Sequence, residues 1–205
     1  VTVPVLWDSQ DNCIVNNESS EIIRMLNTAF DDLTGSTLDL YPVELRVSID
    51  QWNERIYPAI NNGVYRAGFA TTQDAYQEAY DELFAELDNL EKHLGKHRFL
   101  AGDALSEADI RLFTTLIRFD AVYHGHFKCN RSRLEDFPNL AGYIRDIYQM
   151  PGVAETPAFV HIKTHYYVSH KTINPTGSVP AGPDIDFTSD PGRSALTKAA
   201  RTAAA

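Results

Sequence analysis

Cysteine is scarce: Cys13 and Cys129 are the only two in 205 residues. That is too few for a disulfide framework and suits a reducing compartment. No apolar run approaches the roughly 18 residues of a membrane span, and no basic-then-apolar signal segment is visible. Basic residues are the minority, 18 Lys and Arg against 28 Asp and Glu, for a net charge of −10. Such a balance argues against nucleic acid or an anionic membrane as partner. A Gly-rich phosphate loop, a GxSxG elbow and a basic-aromatic stripe are missing too. What is present is a 43% hydrophobic complement, enough for a sizeable core. The expectation is a soluble, acidic, cytoplasmic protein.

The chain opens on Val1-Thr2-Val3-Pro4-Val5-Leu6, a composition for a buried strand, with Pro4 barred from positions that need an N–H donor. Cys13-Ile14-Val15 follows a polar turn as the second arm of a hairpin. Asn16 to Ser20 supply N-cap chemistry before a helical stripe of Ile22, Ile23, Leu26, Phe30 and Leu33, with Gly35 as its end. From Tyr41 onward the periodicity is helical throughout. Leu45, Ile49, Trp52, Ile56 and Ile60 form a run that Asn61-Asn62-Gly63 should stop. A longer helix spans Tyr76 to Leu94 and ends at Gly95; others begin at Ser106, after Phe137-Pro138, and over Pro157 to Tyr167. Ile173 to Gly192 is rich in Pro, Gly, Asp and Ser and reads as an extended tail, and the Ala-rich end as a frayed helix or loose terminus. The pattern is an α+β fragment followed by an all-α bundle.

The stretch "LSEADI", Leu105 to Ile110, carries a helix start: Ser106 caps, Asp109 reaches back, and Leu105 and Ile110 close a hydrophobic staple. With "FLAGDAL" before it and "FPNLAGYIRDIYQMPGV" after, it resembles the helical domain of glutathione transferases. "NNGVYRAGFA" (Asn61 to Ala70), "RFDAVYHGHFKCN" (Arg118 to Asn130) and "HIKTHYYVSHKTINPTG" (His161 to Gly177) narrow the resemblance to the Xi class, the glutathionyl-hydroquinone reductases. The likeness runs from residue 2 to about residue 183.

The resemblance implies the C-terminal half of a thioredoxin-like, thiol-binding domain over residues 1–36, a helical domain over 41–170 and a Pro/Gly-rich tail over 171–205. It implies glutathione, or an equivalent low-molecular-weight thiol, as co-substrate. Val3 and Pro4, across a cis bond, would meet its cysteinyl backbone; Glu18 and Ser19 would take its γ-glutamyl end. Independently of the family, helix N-terminal N–H groups and a Ser hydroxyl suit a carboxylate, and Glu18 an ammonium group. Without the resemblance, Glu18-Ser19 is ordinary capping.

Three tyrosines of the family face an aromatic substrate, and they map onto Tyr65, Tyr123 and Tyr166. A phenol can donate to a hydroquinone oxygen while its ring contacts the π-face; taken singly, each would be a packing residue. The family's nucleophilic Cys sits in a Cys-Pro-Trp type motif, which is expected upstream of this chain. Cys13 and Cys129 have no such context and are not assigned that role. The pair His161/His165 and the group His124, His126 and Cys129 have ligand-capable spacing but lack carboxylate or CxxC company, so no metal is expected. The implied activity is reduction of glutathionyl-hydroquinones, in a homodimer, with an aromatic thioether or quinone as partner. Two alternatives are an Omega-like thiol transferase or dehydroascorbate reductase, and a non-catalytic glutathione-transferase-like interaction domain.

Overall fold

The computed structural model describes residues 3–196; Val1, Thr2 and most of the Ala-rich end lie outside the described residues. The chain divides into two compact units, one ending at Arg46 and the other beginning at Val47.

In the first unit, β1 (Leu6–Asp8) pairs antiparallel with β2 (Cys13–Asn16), Leu6 opposite Asn16 and Asp8 opposite Cys13. The Asp8 carboxylate closes the connection by accepting from the Gln10 and Asp11 N–H groups at 2.7 and 3.0 Å, and Asn12 takes the left-handed conformation the turn needs, φ 55°. The expected buried opening strand is corrected. Pairing starts only after Pro4, which offers no N–H, and Val3 and Val5 are exposed, because a two-stranded hairpin has no second layer over it among the described residues. The expected single helix over the Ile22–Leu33 stripe is also corrected. It divides into α1 (Ser19–Thr28) and α2 (Asp31–Thr34), broken where Phe30 leaves helical geometry, and Gly35 ends the second at φ 68°. Asn27 then holds the connecting segment: its side chain donates to Asp39 at 2.7 Å and accepts the Leu40 N–H at 2.8 Å.

The second unit is helical. α3 (Arg46–Ile56) does not stop at Asn61-Asn62-Gly63 as expected; it passes through a π-helical turn, Tyr57–Asn61, into α4 (Gly63–Gly68). Pro58 has no N–H for the regular ladder, and the register lengthens so that Asn62 donates to the Tyr57 carbonyl at 2.8 Å. α5 (Gln73–Leu94) follows the expected stripe and buries Leu83, Leu87, Leu90 and Leu94. α6 (Glu107–Arg118) starts at the expected capping box and runs into a second π turn, Phe119–Tyr123, and the short α7 (His124–His126). α8 (Pro138–Tyr148) opens with Pro at its first position; the last helix, α9 (Phe159–Ser169), is shifted by two residues from expectation.

The tail is extended but not loose. Lys163 of α9 donates to the Ala181 and Gly182 carbonyls at 2.7 and 3.0 Å, and Gln149 to those of Phe187 and Ser189, both at 2.8 Å. Phe187 lies stacked between Tyr148 at the end of α8 and Phe159 at the start of α9. Arg193, a charge almost wholly removed from solvent, donates to the carbonyls of His97, Arg98 and Asn139 at 2.7, 2.8 and 3.2 Å. The Pro191 carbonyl crosses α8 at Gly142, where a Cβ would come within 2.5 Å of it. Among the described residues, no helix is long and apolar enough to cross a membrane.

Candidate functional site

The three sequence-selected tyrosines come from separate elements. Tyr65 is on α4, four residues past the first π turn; Tyr123 ends the second; Tyr166 is the one buried residue of α9. They converge through their hydroxyls. Tyr166 Oη is hydrogen-bonded to Tyr65 Oη, and to Tyr123 Oη at 2.8 Å. The Tyr123 and Tyr166 rings meet edge-on at 5.5 Å between centroids. Both rings are buried, whereas Tyr65 is only partly so.

Local geometry explains why these side chains meet. Asn61, at the end of the first π turn, donates to the Arg111 carbonyl and the Thr115 hydroxyl at 2.9 and 2.7 Å, so the start of α4 is pinned to α6. The segment after the second π turn curls back on Tyr123, whose carbonyl accepts from the Phe127 and Cys129 N–H groups at 3.2 and 3.1 Å. Lys128 adopts the left-handed conformation there, φ 59°, and its carbonyl accepts from the Tyr76 hydroxyl at 2.7 Å.

Phe127, Gly68 and His170, which the sequence reading did not select, complete the cluster with His126, which it weighed only as a metal ligand. Phe127, fully buried, stacks on Tyr123 with an interplanar angle of 15° and touches the rings of Tyr65 and Tyr166. It occupies space that Gly68 leaves open, since a Cβ at Gly68 would lie 2.2 Å from two of its ring carbons. His170 stacks on the far side of Phe127, and its Nδ1 is 3.1 Å from Nε2 of His126. The available signal was the aromatic and His density of 123–127 and 165–170.

The electrostatics keep this cluster neutral. Burial, reinforced by the neighbouring phenols, pushes the Tyr123 hydroxyl far above the ordinary phenol range, and burial raises Tyr166 likewise. Burial, with His170 and Lys128 adding repulsion, pulls His126 down to about 4. The site therefore offers uncharged donors at neutral pH. Cys129, buried beside it, is pushed up to about 12 by desolvation, the opposite of an activated thiol. Cys13 is exposed on β2. Among the described residues, no three His, Cys, Asp or Glu side chains group as a metal would require.

The other sequence-selected residues lie in the first unit. The Val3–Pro4 bond is cis. Because Leu6 faces Asn16, Val3-Pro4 and Glu18-Ser19 flank the same end of the hairpin. Glu18 is the N-cap of α1: one carboxylate oxygen accepts from the Ser20 N–H at 3.3 Å and the Ser20 hydroxyl at 3.1 Å. The other oxygen has no hydrogen bond among the described residues. Capping thus engages only one of the two carboxylate oxygens.

Known proteins resemble this chain over most of its length. Residues 73–146 match the family model of the glutathione S-transferase C-terminal domain. The glutathionyl-hydroquinone reductase YqjG of Escherichia coli (strain K12) is 58% identical over 193 residues, 94% of this chain and 59% of that protein. A solved structure of glutathione-bound YqjG superposes with a TM-score of 0.92, covering 94% of this chain and 63% of that one. A Xi-class glutathione transferase from Natrialba magadii is 52% identical with a TM-score of 0.93, covering 96% and 60%. The chain spans about three-fifths of the length of the curated relatives it matches.

Proposed function

The chain belongs to the Xi class of the glutathione transferases, and from that premise we propose that the protein reduces glutathionyl-hydroquinones to hydroquinones at the expense of glutathione. A cysteine thiolate supplied outside residues 1–205 attacks the thioether sulfur. A mixed disulfide with glutathione forms, the carbon–sulfur bond breaks, and its electron pair passes to the aromatic ring, which takes up a proton. A second glutathione, as thiolate, attacks the mixed disulfide, releases glutathione disulfide and restores the cysteine.

In this reading Tyr65, Tyr123 and Tyr166 form the aromatic-substrate site. Neutral phenols near the ring oxygens stabilise the charge that develops there as the sulfur departs. Val3 and Pro4 receive the cysteinyl backbone of glutathione, Ser19 the carboxylate of its γ-glutamyl end, and the unengaged Glu18 oxygen the ammonium group. The protein acts in the cytoplasm as a homodimer, with a small aromatic thioether as substrate.

One observation carries the proposal: three phenols from three elements share hydrogen bonds at Tyr166 while their rings enclose Phe127. The test is the full-length protein with excess glutathione and the glutathione conjugate of benzohydroquinone. Release of hydroquinone with one glutathione disulfide per turnover is expected. Failure to release it, with general thiol-transferase activity intact, overturns the assignment.

A further inference from the structure

α9 contributes almost nothing to the core. Of its eleven residues only Tyr166 is buried, and Val160 and Val168 are exposed to solvent. A helix of this length is marginal unless an apolar face packs it. Its place must therefore be fixed by something other than a buried face, and whatever fixes α9 fixes Tyr166.

The contacts of α9 divide between its two halves. Towards the C-terminal end, Tyr166 meets Tyr65 and Tyr123, and the Tyr167 ring lies against His126 at 4.6 Å between centroids. Towards the N-terminal end the contacts go to the tail. Phe159 stacks on Phe187 at 5.5 Å, and Lys163 Nζ reaches the Ala181 and Gly182 carbonyls. The tail in turn is fastened to α8, whose Leu140, Tyr143, Ile144 and Ile147 are buried in the core. Arg145 Nε donates to the Asp186 carbonyl at 3.0 Å, and Gln149 holds the Phe187 and Ser189 carbonyls on either side of Thr188. Tyr148 stacks on Phe187 at 4.9 Å. Phe187 thus has a ring contact on each helix, and the support of α9 runs from α8 through the tail.

We propose that the tail is a positioning strap for the reaction. Phe187, with Lys163 and Gln149 as its fastenings, aligns α9 and so sets where Tyr166 stands, although none of the three belongs to the tyrosine cluster. Phe159 and Tyr166 are seven residues apart, roughly 10 Å along the helix axis, so rocking α9 by about 6° displaces Tyr166 by about 1 Å. Misplacement on that scale costs a reaction heavily. The proposal rests on the site reading above in taking Tyr166 as a contact of the substrate's aromatic ring. Its mechanical half, that the tail orders α9, is independent of that reading.

Full-length variants test both halves. Phe187→Ala is expected to lower kcat/KM for the glutathione conjugate of benzohydroquinone about 10-fold, the effect of a displaced contact rather than a removed one. It should leave the reduction of hydroxyethyl disulfide by glutathione at the wild-type rate, since that small substrate has no ring for Tyr166 to place. Phe187→Tyr, which retains the stacked ring, should keep wild-type activity on the conjugate. Equal losses on both substrates, or none on either, overturn the positioning role. Lys163→Met removes two hydrogen bonds at the surface, keeps the aliphatic stem and covers the case in which Phe187→Ala does not fold. It should show a smaller loss with the same split between substrates, and equal effects on the two overturn the role again. Backbone amide exchange needs no turnover. In either variant the amides of α9 should exchange several-fold faster than in the wild type, while those of α5 keep their rates. Unchanged protection of α9 overturns the strap. If the wild type turns over no conjugate, the functional reading fails, and amide exchange still decides whether the tail orders α9.

Discussion

Asp109→Ala should be among the most damaging single substitutions in the helical unit, and the structure supplies the reason donor by donor. The Asp109 carboxylate, fully buried, accepts four hydrogen bonds: from the Leu100 N–H at 2.9 Å, the Ser106 N–H at 2.9 Å, the Ser106 hydroxyl at 2.6 Å and the Tyr143 hydroxyl at 2.8 Å. It joins the loop before α6, the N-cap of α6 and the middle of α8. Alanine leaves all four donors without their acceptor. Each unsatisfied donor costs about 1–3 kcal/mol, and the lower figure applies because the vacated volume can admit a water. The expected loss is about 4 kcal/mol, a large fraction of the stability of a typical domain. Ser106→Ala and Tyr143→Phe each remove one bond and should cost about 1 kcal/mol. Urea unfolding of the full chain, with the slope checked for constancy, measures all three. A loss in Asp109→Ala below about 1.5 kcal/mol, or one no larger than that of Ser106→Ala, would refute the reasoning.

Two further outcomes follow from the tyrosine cluster. Gly68→Ala forces a methyl group into the Phe127 ring, which is fully buried and cannot step aside; a loss of about 2–3 kcal/mol by urea unfolding is expected, and wild-type stability would show that the ring has room. His126 titrates near 4 in the folded chain against 6.5 when unfolded, because burial and the neighbouring His170 and Lys128 oppose its charge. Between those values the unfolded chain holds the extra proton, so stability should fall as pH drops from 6.5 towards 4. His170 is lowered too, by burial and by His165, and adds in the same direction. His126→Gln should flatten the slope in a pH series of melting curves; an unchanged slope would remove His126 from the account.

The parts of this fold that were legible in the sequence are the ones whose cause is local. Ser106 and Asp109 are three residues apart, and that spacing alone defines the capping box that starts α6. The stripe along α5 is likewise a matter of i, i+3 and i+4 spacing. The π turns were not legible, although Pro58 marks the place of the first. The run was expected to pass Pro58 and stop at Asn61-Asn62-Gly63, and only the packing of Asn61 against α6 turns that stop into a change of register. The meeting of Tyr65, Tyr123 and Tyr166 spans 101 residues along the chain, and no periodicity encodes it; family resemblance, not pattern, selected those three. Phe127 was passed over because no spacing in the sequence distinguishes it, and it is core as well. Composition indicated an extended tail but not where it docks. Its Pro and Gly content describes how the chain bends, while Phe187 and Arg193, single residues in a polar stretch, decide where it lies.

Arg193 also sets an order of events during synthesis. Its contact with the His97 carbonyl closes a span of 96 residues. A chain made from its N-terminus has α5, α8 and α9 in place before Arg193 exists. Until that residue leaves the ribosome, the carbonyls of His97, Arg98 and Asn139 lack the guanidinium that bridges them. The aromatic faces of Tyr148 and Phe159 await Phe187 in the same way. The seal between α8 and α9 thus forms only after Phe187 has emerged, and nascent chains arrested before it display an aromatic surface of the kind chaperones bind.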